Sequence, residues 1–139
     1  MNIVPYLFFN GTCAEAFRFY EKVLGGKIVE MLPHAGTPAS AYVPADWQDK
    51  IMHARLVVGD AVIMASDAPP QHRKTPQGLS VSVHVKEESE AERIFKALAE
   101  GGTVTMPMEK TFWAARFGML VDRYGTPWMI NCDATPTPA

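Results

Sequence analysis

At 139 residues, 47% hydrophobic and 20% charged, the chain has the make-up of one ordinary globular domain, able to bury roughly two-thirds of its unfolded surface. No segment reaches the roughly 20 apolar residues of a membrane helix, and a net charge of −2 with both signs scattered gives no basic stripe for nucleic acid. Neither membrane nor nucleic acid is an expected partner, and the opening Met1-Asn2-Ile3-Val4-Pro5, with no positive flank or apolar run, points to the cytoplasm.

Residues 4–9 read as a strand with Tyr6 and Phe8 on one side and Pro5, Leu7 and Phe9 on the other; apolar groups on both sides predict that both faces are covered. Asn10-Gly11 breaks the strand, and Thr12-Cys13-Ala14-Glu15 has the form of a capping box. The helix it opens carries Cys13, Ala16, Phe17, Tyr20, Val23 and Leu24 at helical spacing and stops at Gly25-Gly26. Cys13 and Cys132 are too few for a disulfide framework and lack metal-motif spacing. Cys13 falls in the first turn, where it is either a small buried hydrophobe or a thiolate favoured by the helix dipole. Residues 27–32 form the next strand. Residues 33–50, with Pro33, Pro38 and Pro44 beside Tyr42 and Trp47, are either a lid or a packed surface loop. Residues 51–58 and 61–65 make a hairpin about Gly59-Asp60, and residues 67–78, rich in proline, connect onward.

The pattern then starts again. Residues 79–85 alternate Ser80, Ser82 and His84 against Leu79, Val81, Val83 and Val85; Ser89-Glu90-Ala91-Glu92 is a second capping box; Ala91, Ile94, Phe95 and Leu98 form a stripe ending at Gly101-Gly102. A strand at residues 103–106 and a hairpin over residues 111–131, turning at Asp122-Arg123-Tyr124-Gly125, complete the half. The shared order predicts a duplicated α+β fold: two tandem βαβββ modules, about 3–67 and 79–133, in one domain of residues 1–133 with a connector at 68–78 and a tail at 134–139. Each module has a helix-free sheet face, and joining the two sheets would enclose a concave cavity.

Leu7, Phe9, Ile63, Met129, Ser80, Ser82 and His84 are the expected lining of that cavity, mostly apolar with a few polar groups. Trp113 is expected at its mouth and Phe117 among the ligand-binding residues, whereas alternation from Met129 turns Trp128 toward the helices. His53 is the candidate general base or hydrogen-bonding anchor, and His34 and His72 fall in loops as solvated side chains. Arg55 and Arg116 either hold a ligand carboxylate or phosphate bidentately or form surface ion pairs. Asp122 and Gly125 serve the turn. A new metal site from His53, His84 and Asp67 or Glu109 is a further arrangement of these side chains.

Several motifs carry a resemblance: Pro5-Tyr6-Leu7-Phe8-Phe9, Ala14-Glu15-Ala16, Phe19-Tyr20 and Leu24-Gly25-Gly26, then His53-Ala54-Arg55-Leu56, Gly59 and Met64-Ala65-Ser66-Asp67, then Trp113, Phe117-Gly118, Asp122-Arg123-Tyr124-Gly125 and Trp128. In these the chain resembles the glyoxalase/bleomycin-resistance/dioxygenase group, the vicinal oxygen chelate superfamily, in its PhnB-like branch. The resemblance implies tandem βαβββ modules, a homodimer, and a divalent metal held by His, Gln or Glu from the first and last strands of both halves. Those positions fall at Pro5, Ile63, Ser80 and Met129; a shift of one reaches Tyr6, Met64, Val81 and Trp128, or Val4, Val62, Leu79 and Pro127. None is an imidazole or carboxylate, so no metal and no cofactor is expected. PhnB-like members also carry a demethylubiquinone methyltransferase label, but the glycine pairs here end helices instead of forming a GxGxxG loop.

The leading expectation is a protein that binds a small, partly apolar molecule without a metal. The alternatives are an enzyme of lyase, isomerase or dioxygenase type using an unfamiliar metal site or His53 as base, and a dimeric interaction module whose cavity is filled by its own side chains.

Overall fold

The alternation of the first apolar run and the helical stripe behind it are both realised in the computed structural model, which describes residues 1–69 and 74–133. The chain divides into two units, Met1–Lys74 and Thr75–Ala139. The first contains β1 (Tyr6–Phe9), α1 (Cys13–Leu24), β2 (Lys27–Pro33), β3 (Ile51–Val58) and β4 (Ala61–Asp67). Its sheet has the order β1-β4-β3-β2, with β1 parallel to β4 and the other pairs antiparallel. The second repeats the plan with β5 (Val81–Val85), α2 (Glu88–Ala99), β6 (Thr103–Glu109), β7 (Ala114–Val121) and β8 (Pro127–Asp133), in the order β5-β8-β7-β6. The duplicated α+β architecture read from the sequence is the one observed.

In the first unit α1 buries Cys13, Ala16, Phe17, Tyr20 and Val23 against the sheet. Phe9 meets Phe17 edge-on and Tyr20 at a tilt, both at 6.4 Å. By period-two alternation Leu7 follows Phe9 to that side, and register adds Ala65, Ala54, Leu56 and Ile63, all buried. Leu7, Phe9 and Ile63 are therefore core residues under α1, a correction to the expectation that they line the helix-free face; Tyr6 and Phe8 occupy that face instead. In the second unit Val81, Trp128 and Leu120 share a rung, as do Val83, Ile130 and Gly118. A Cβ on Gly118 would meet Phe95 of α2, which places these rungs on the helix side. Trp128 is fully buried there, as alternation from Met129 predicts.

Neither capping box forms. Thr12 and Glu87 stand at the N-caps of α1 and α2 without a side-chain cap bond. Asp67 does the work for α1: its Oδ1 accepts the Cys13 N–H at 2.9 Å, and its Oδ2 accepts the Ile51 N–H at 2.8 Å. Residues 33–50 are a folded loop with short 3-10 turns at Pro38–Tyr42 and Ala45–Trp47. His34 is buried, not solvated, because its Nδ1–H donates to Lys50 O at 2.8 Å and ties the base of the loop. Gln48 Nε2 closes it from within by donating to Ser40 O and Val43 O. His72 lies outside the described residues.

Candidate functional site

Each sheet carries one face under its helix and one without, and alternation decides which side chains reach the second. In the first unit one such rung runs Tyr6, Met64, Arg55, Glu30 across β1, β4, β3 and β2. His53 and Phe8 stand two residues along the same side of their strands. The Tyr6 and His53 rings stack at 5.9 Å, Phe8 tilts against Tyr6 at 5.1 Å, and the Tyr6 hydroxyl lies 3.2 Å from His53 Nδ1. His53 Nε2 stands 3.4 Å from Glu30 Oε2. A carboxylate only accepts, so in the neutral imidazole Nε2 holds the proton toward Glu30 and Nδ1 accepts the Tyr6 O–H. Glu30 orients the ring, and the ring orients the phenol.

In the second unit the helix-free rungs are Ser82, Met129, Met119 and His84, Asn131, Phe117 across β5, β8 and β7. Ser82 Oγ lies 2.9 Å from His84 Nε2, and Asn131 Nδ2 lies 3.2 Å from His84 Nδ1 and 2.6 Å from Asp133 Oδ1. The amide nitrogen serves both neighbours, so Nδ1 of the neutral His84 accepts and its Nε2–H donates to Ser82. Ser82 then keeps its own proton for a ligand or water; it is a hydrogen-bond donor, not a nucleophile that His84 has deprotonated. An open hollow of about 390 Å³ lies in the same unit, lined by Gly78, Leu79, Ser80, Met119 and Met129. Its volume is in the range of small-molecule sites, and its wall is apolar apart from Ser80. Trp113, half exposed, stacks edge-on against the buried Phe117 at 5.4 Å.

The structure thus brings Ser80 and Met129 together at one hollow, joins Ser82 to His84, and pairs Trp113 with Phe117. Sequence reasoning missed Tyr6, Glu30, Asn131 and Asp133 as partners. Asn131 had a signal, a polar side chain inside the apolar run of β8; Glu30 looked like an ordinary strand-surface charge. Of the two candidate anion holders, Arg116 is taken up by Glu92, whose Oε1 accepts from its Nε at 2.6 Å. Cys13 is no thiolate: burial first, then the nearby Asp67 charge, pushes its pKa well up. Burial also raises that of Cys132, with Glu88, Asp133 and Glu87 adding to it.

The description 3-demethylubiquinone-9 3-methyltransferase belongs to the family that matches residues 1–131. The chain belongs to this family. Several relatives cover nearly all of the chain. Protein YjdN of Escherichia coli (strain K12) is 33% identical over 139 residues, covering 94% of this chain and 95% of that protein. The crystal structure of PA1353 from Pseudomonas aeruginosa is 54% identical with a TM-score of 0.87, over 96% of this chain and 98% of that one. The PhnB protein of Bacillus cereus is 25% identical with a TM-score of 0.80, over 95% and 99% of the two chains. The fold alone is shared with the glyoxylase/bleomycin resistance protein/dioxygenase domain from Frankia sp. EAN1pec, 15% identical with a TM-score of 0.64 over 96% and 98%. The chain is a PhnB-like member of the vicinal oxygen chelate superfamily.

That superfamily implies a divalent metal, and the residues of this PhnB-like chain do not fit one of the usual kind. Pro5, Ile63, Ser80 and Met129 supply no imidazole or carboxylate, and Ile63 faces α1. Among the described residues, no three His, Cys, Asp or Glu side chains are gathered as a metal centre requires. Asp67 in particular has both oxygens engaged by backbone donors.

Proposed function

We propose that this PhnB-like protein binds a small, partly apolar molecule on a helix-free sheet face and does so without the metal of its superfamily. The observation that carries the reading is the hollow of about 390 Å³ walled by Leu79, Met119 and Met129, in the unit whose helix-free face presents Ser82 as a donor fixed by His84 and Asn131. Thioether walls adapt to a ligand's shape, and a few oriented polar groups set its direction. His53, held between Tyr6 and Glu30, is in this reading a hydrogen-bonding anchor on the helix-free face of the first unit itself. Methyl transfer is not part of the proposal: Gly25 and Gly101 lie at helix C-termini in left-handed conformation, which supports a stop-signal role over a nucleotide loop.

The test is a thermal-shift screen of small neutral and charged metabolites in the presence of chelator, repeated on Met129→Trp, which fills the hollow. A stabilising ligand whose effect survives chelation and disappears in the variant is expected. About one divalent ion retained per chain after purification without added metal would sink the metal-free reading. Micromolar binding of S-adenosylmethionine would restore methyl transfer.

A further inference from the structure

The helix-free face of the first unit contains a cation that makes no ion pair among the described residues. Arg55 sits on β3 between Met64 of β4 and Glu30 of β2, with Tyr6 next along the rung. Its neighbours in sequence, Ala54 and Leu56, are fully buried on the α1 side, so its side chain leaves on the other. The Nε atom is withdrawn from solvent and meets no hydrogen-bond partner among the described residues. Arg93 and Arg116, by contrast, are matched to Glu90 and Glu92, and the ion pairs found among the described residues leave Arg55 out. Glu30 is its register partner, yet that carboxylate is turned to His53 Nε2.

A buried guanidinium donor with no acceptor is a poor arrangement for stability alone and a good one for taking a planar anion through two parallel N–H···O bonds. The surroundings define the rest of that anion. Tyr6, Phe8 and His53 form a run of ring surface on the same side, with Tyr6 40% and Phe8 52% exposed. We infer that this face binds a small aromatic carboxylate, its acid group on Arg55 and its ring against Tyr6 and Phe8. The inference goes beyond the small-molecule reading above, which stands on the hollow of the second unit: it assigns a site of its own to the first unit, with the ligand's charge and the residue that recognises it.

Benzoate and its neutral isostere benzamide are the probes, measured by calorimetric titration on the wild type, Arg55→Gln and Arg55→Lys, each checked for fold by circular dichroism. The wild type is expected to prefer benzoate, Arg55→Gln to lose at least about tenfold in benzoate affinity while benzamide is unchanged, and Arg55→Lys to fall between because it keeps charge without the fork. Equal affinity for the two probes in the wild type, or a benzoate preference that persists in Arg55→Gln, overturns the assignment. Should benzoate fail while neutral ligands from the thermal-shift screen still stabilise the protein, only the acid-recognition claim is lost. Should no ligand of either kind bind, both readings fall.

Discussion

The carboxylate of Asp67 is 4% exposed and holds the start of α1 to the start of β3 through two backbone donors, Cys13 N–H and Ile51 N–H. It also puts negative charge at the positive end of the helix. Truncation to alanine leaves two buried amides without acceptors, which costs about 2–5 kcal/mol from a total stability of roughly 5–15. Urea unfolding of Asp67→Ala should show that loss with little change in slope; a loss within error would mean that water replaces the carboxylate. The same carboxylate bears on Cys13. Its thiol pKa is raised above the ordinary value of 9.0 chiefly by burial, with Asp67 repulsion second. A raised acid pKa means that the folded state keeps a proton the unfolded chain releases, so the stabilisation is complete below pH 9.0 and declines as pH rises further. Melting temperatures followed from about pH 8 to about pH 10 should fall more steeply for the wild type than for Cys13→Ala, and parallel curves would refute the coupling.

The paired glycines divide two tasks, and they do so the same way in both units. Gly25 and Gly101 come first in each pair and take the left-handed conformation, at φ +73° and +75°. Gly26 and Gly102 come second, and there the sheet passes too close for a side chain: a Cβ on Gly26 would lie 2.6 Å from Val57 O, and one on Gly102 would collide with Val121 O. Val57 and Val121 occupy matching places near the ends of β3 and β7, so the pair sets how the chain leaves the helix and enters β2 or β6. Gly26→Ala should therefore cost about 2–4 kcal/mol, because backbone must move, against about 1 for Gly25→Ala, which meets open space and only a strained φ. Differential scanning calorimetry ranks the two, and the reverse order would disprove the assignment of tasks. Such punctuation was legible in the sequence, as were the duplication and nearly every strand and helix. The facing of β1 was not, because Tyr6 and Phe8 against Leu7 and Phe9 offers apolar groups on both sides and no polar marker. The α1 cap was not either, since Asp67 lies 54 residues from Cys13 and local capping residues were present as decoys. The Tyr6–His53–Glu30 cluster joins three strands and has no local pattern at all.

At the scale of the whole molecule, large apolar side chains remain on the outside of the chain: Tyr6, Phe8 and Leu32 in the first unit, and Val104, Met106, Phe112 and Trp113 in the second. Phe112 is 94% exposed and packs edge-on with Trp113 at 4.8 Å. Single exposed apolar residues are ordinary, but contiguous rings such as Phe112–Trp113, in the other unit from the Tyr6–Phe8 pair assigned to a ligand above, are the kind of surface that binds something. None of these side chains lines the hollow of about 390 Å³. A second copy of the chain is the occupant that the superfamily resemblance implies, and burial of roughly 800 Å² per chain would be enough for a stable pair. Sedimentation velocity is then expected to give a species of twice the 15.3 kDa chain mass, and the melting temperature is expected to rise with protein concentration, because association stabilises only the folded state. High salt should leave the dimer intact, since the exposed groups concerned are uncharged. A purely monomeric species at about 50 µM, with a melting temperature independent of concentration, would mean that these rings face a ligand or another protein.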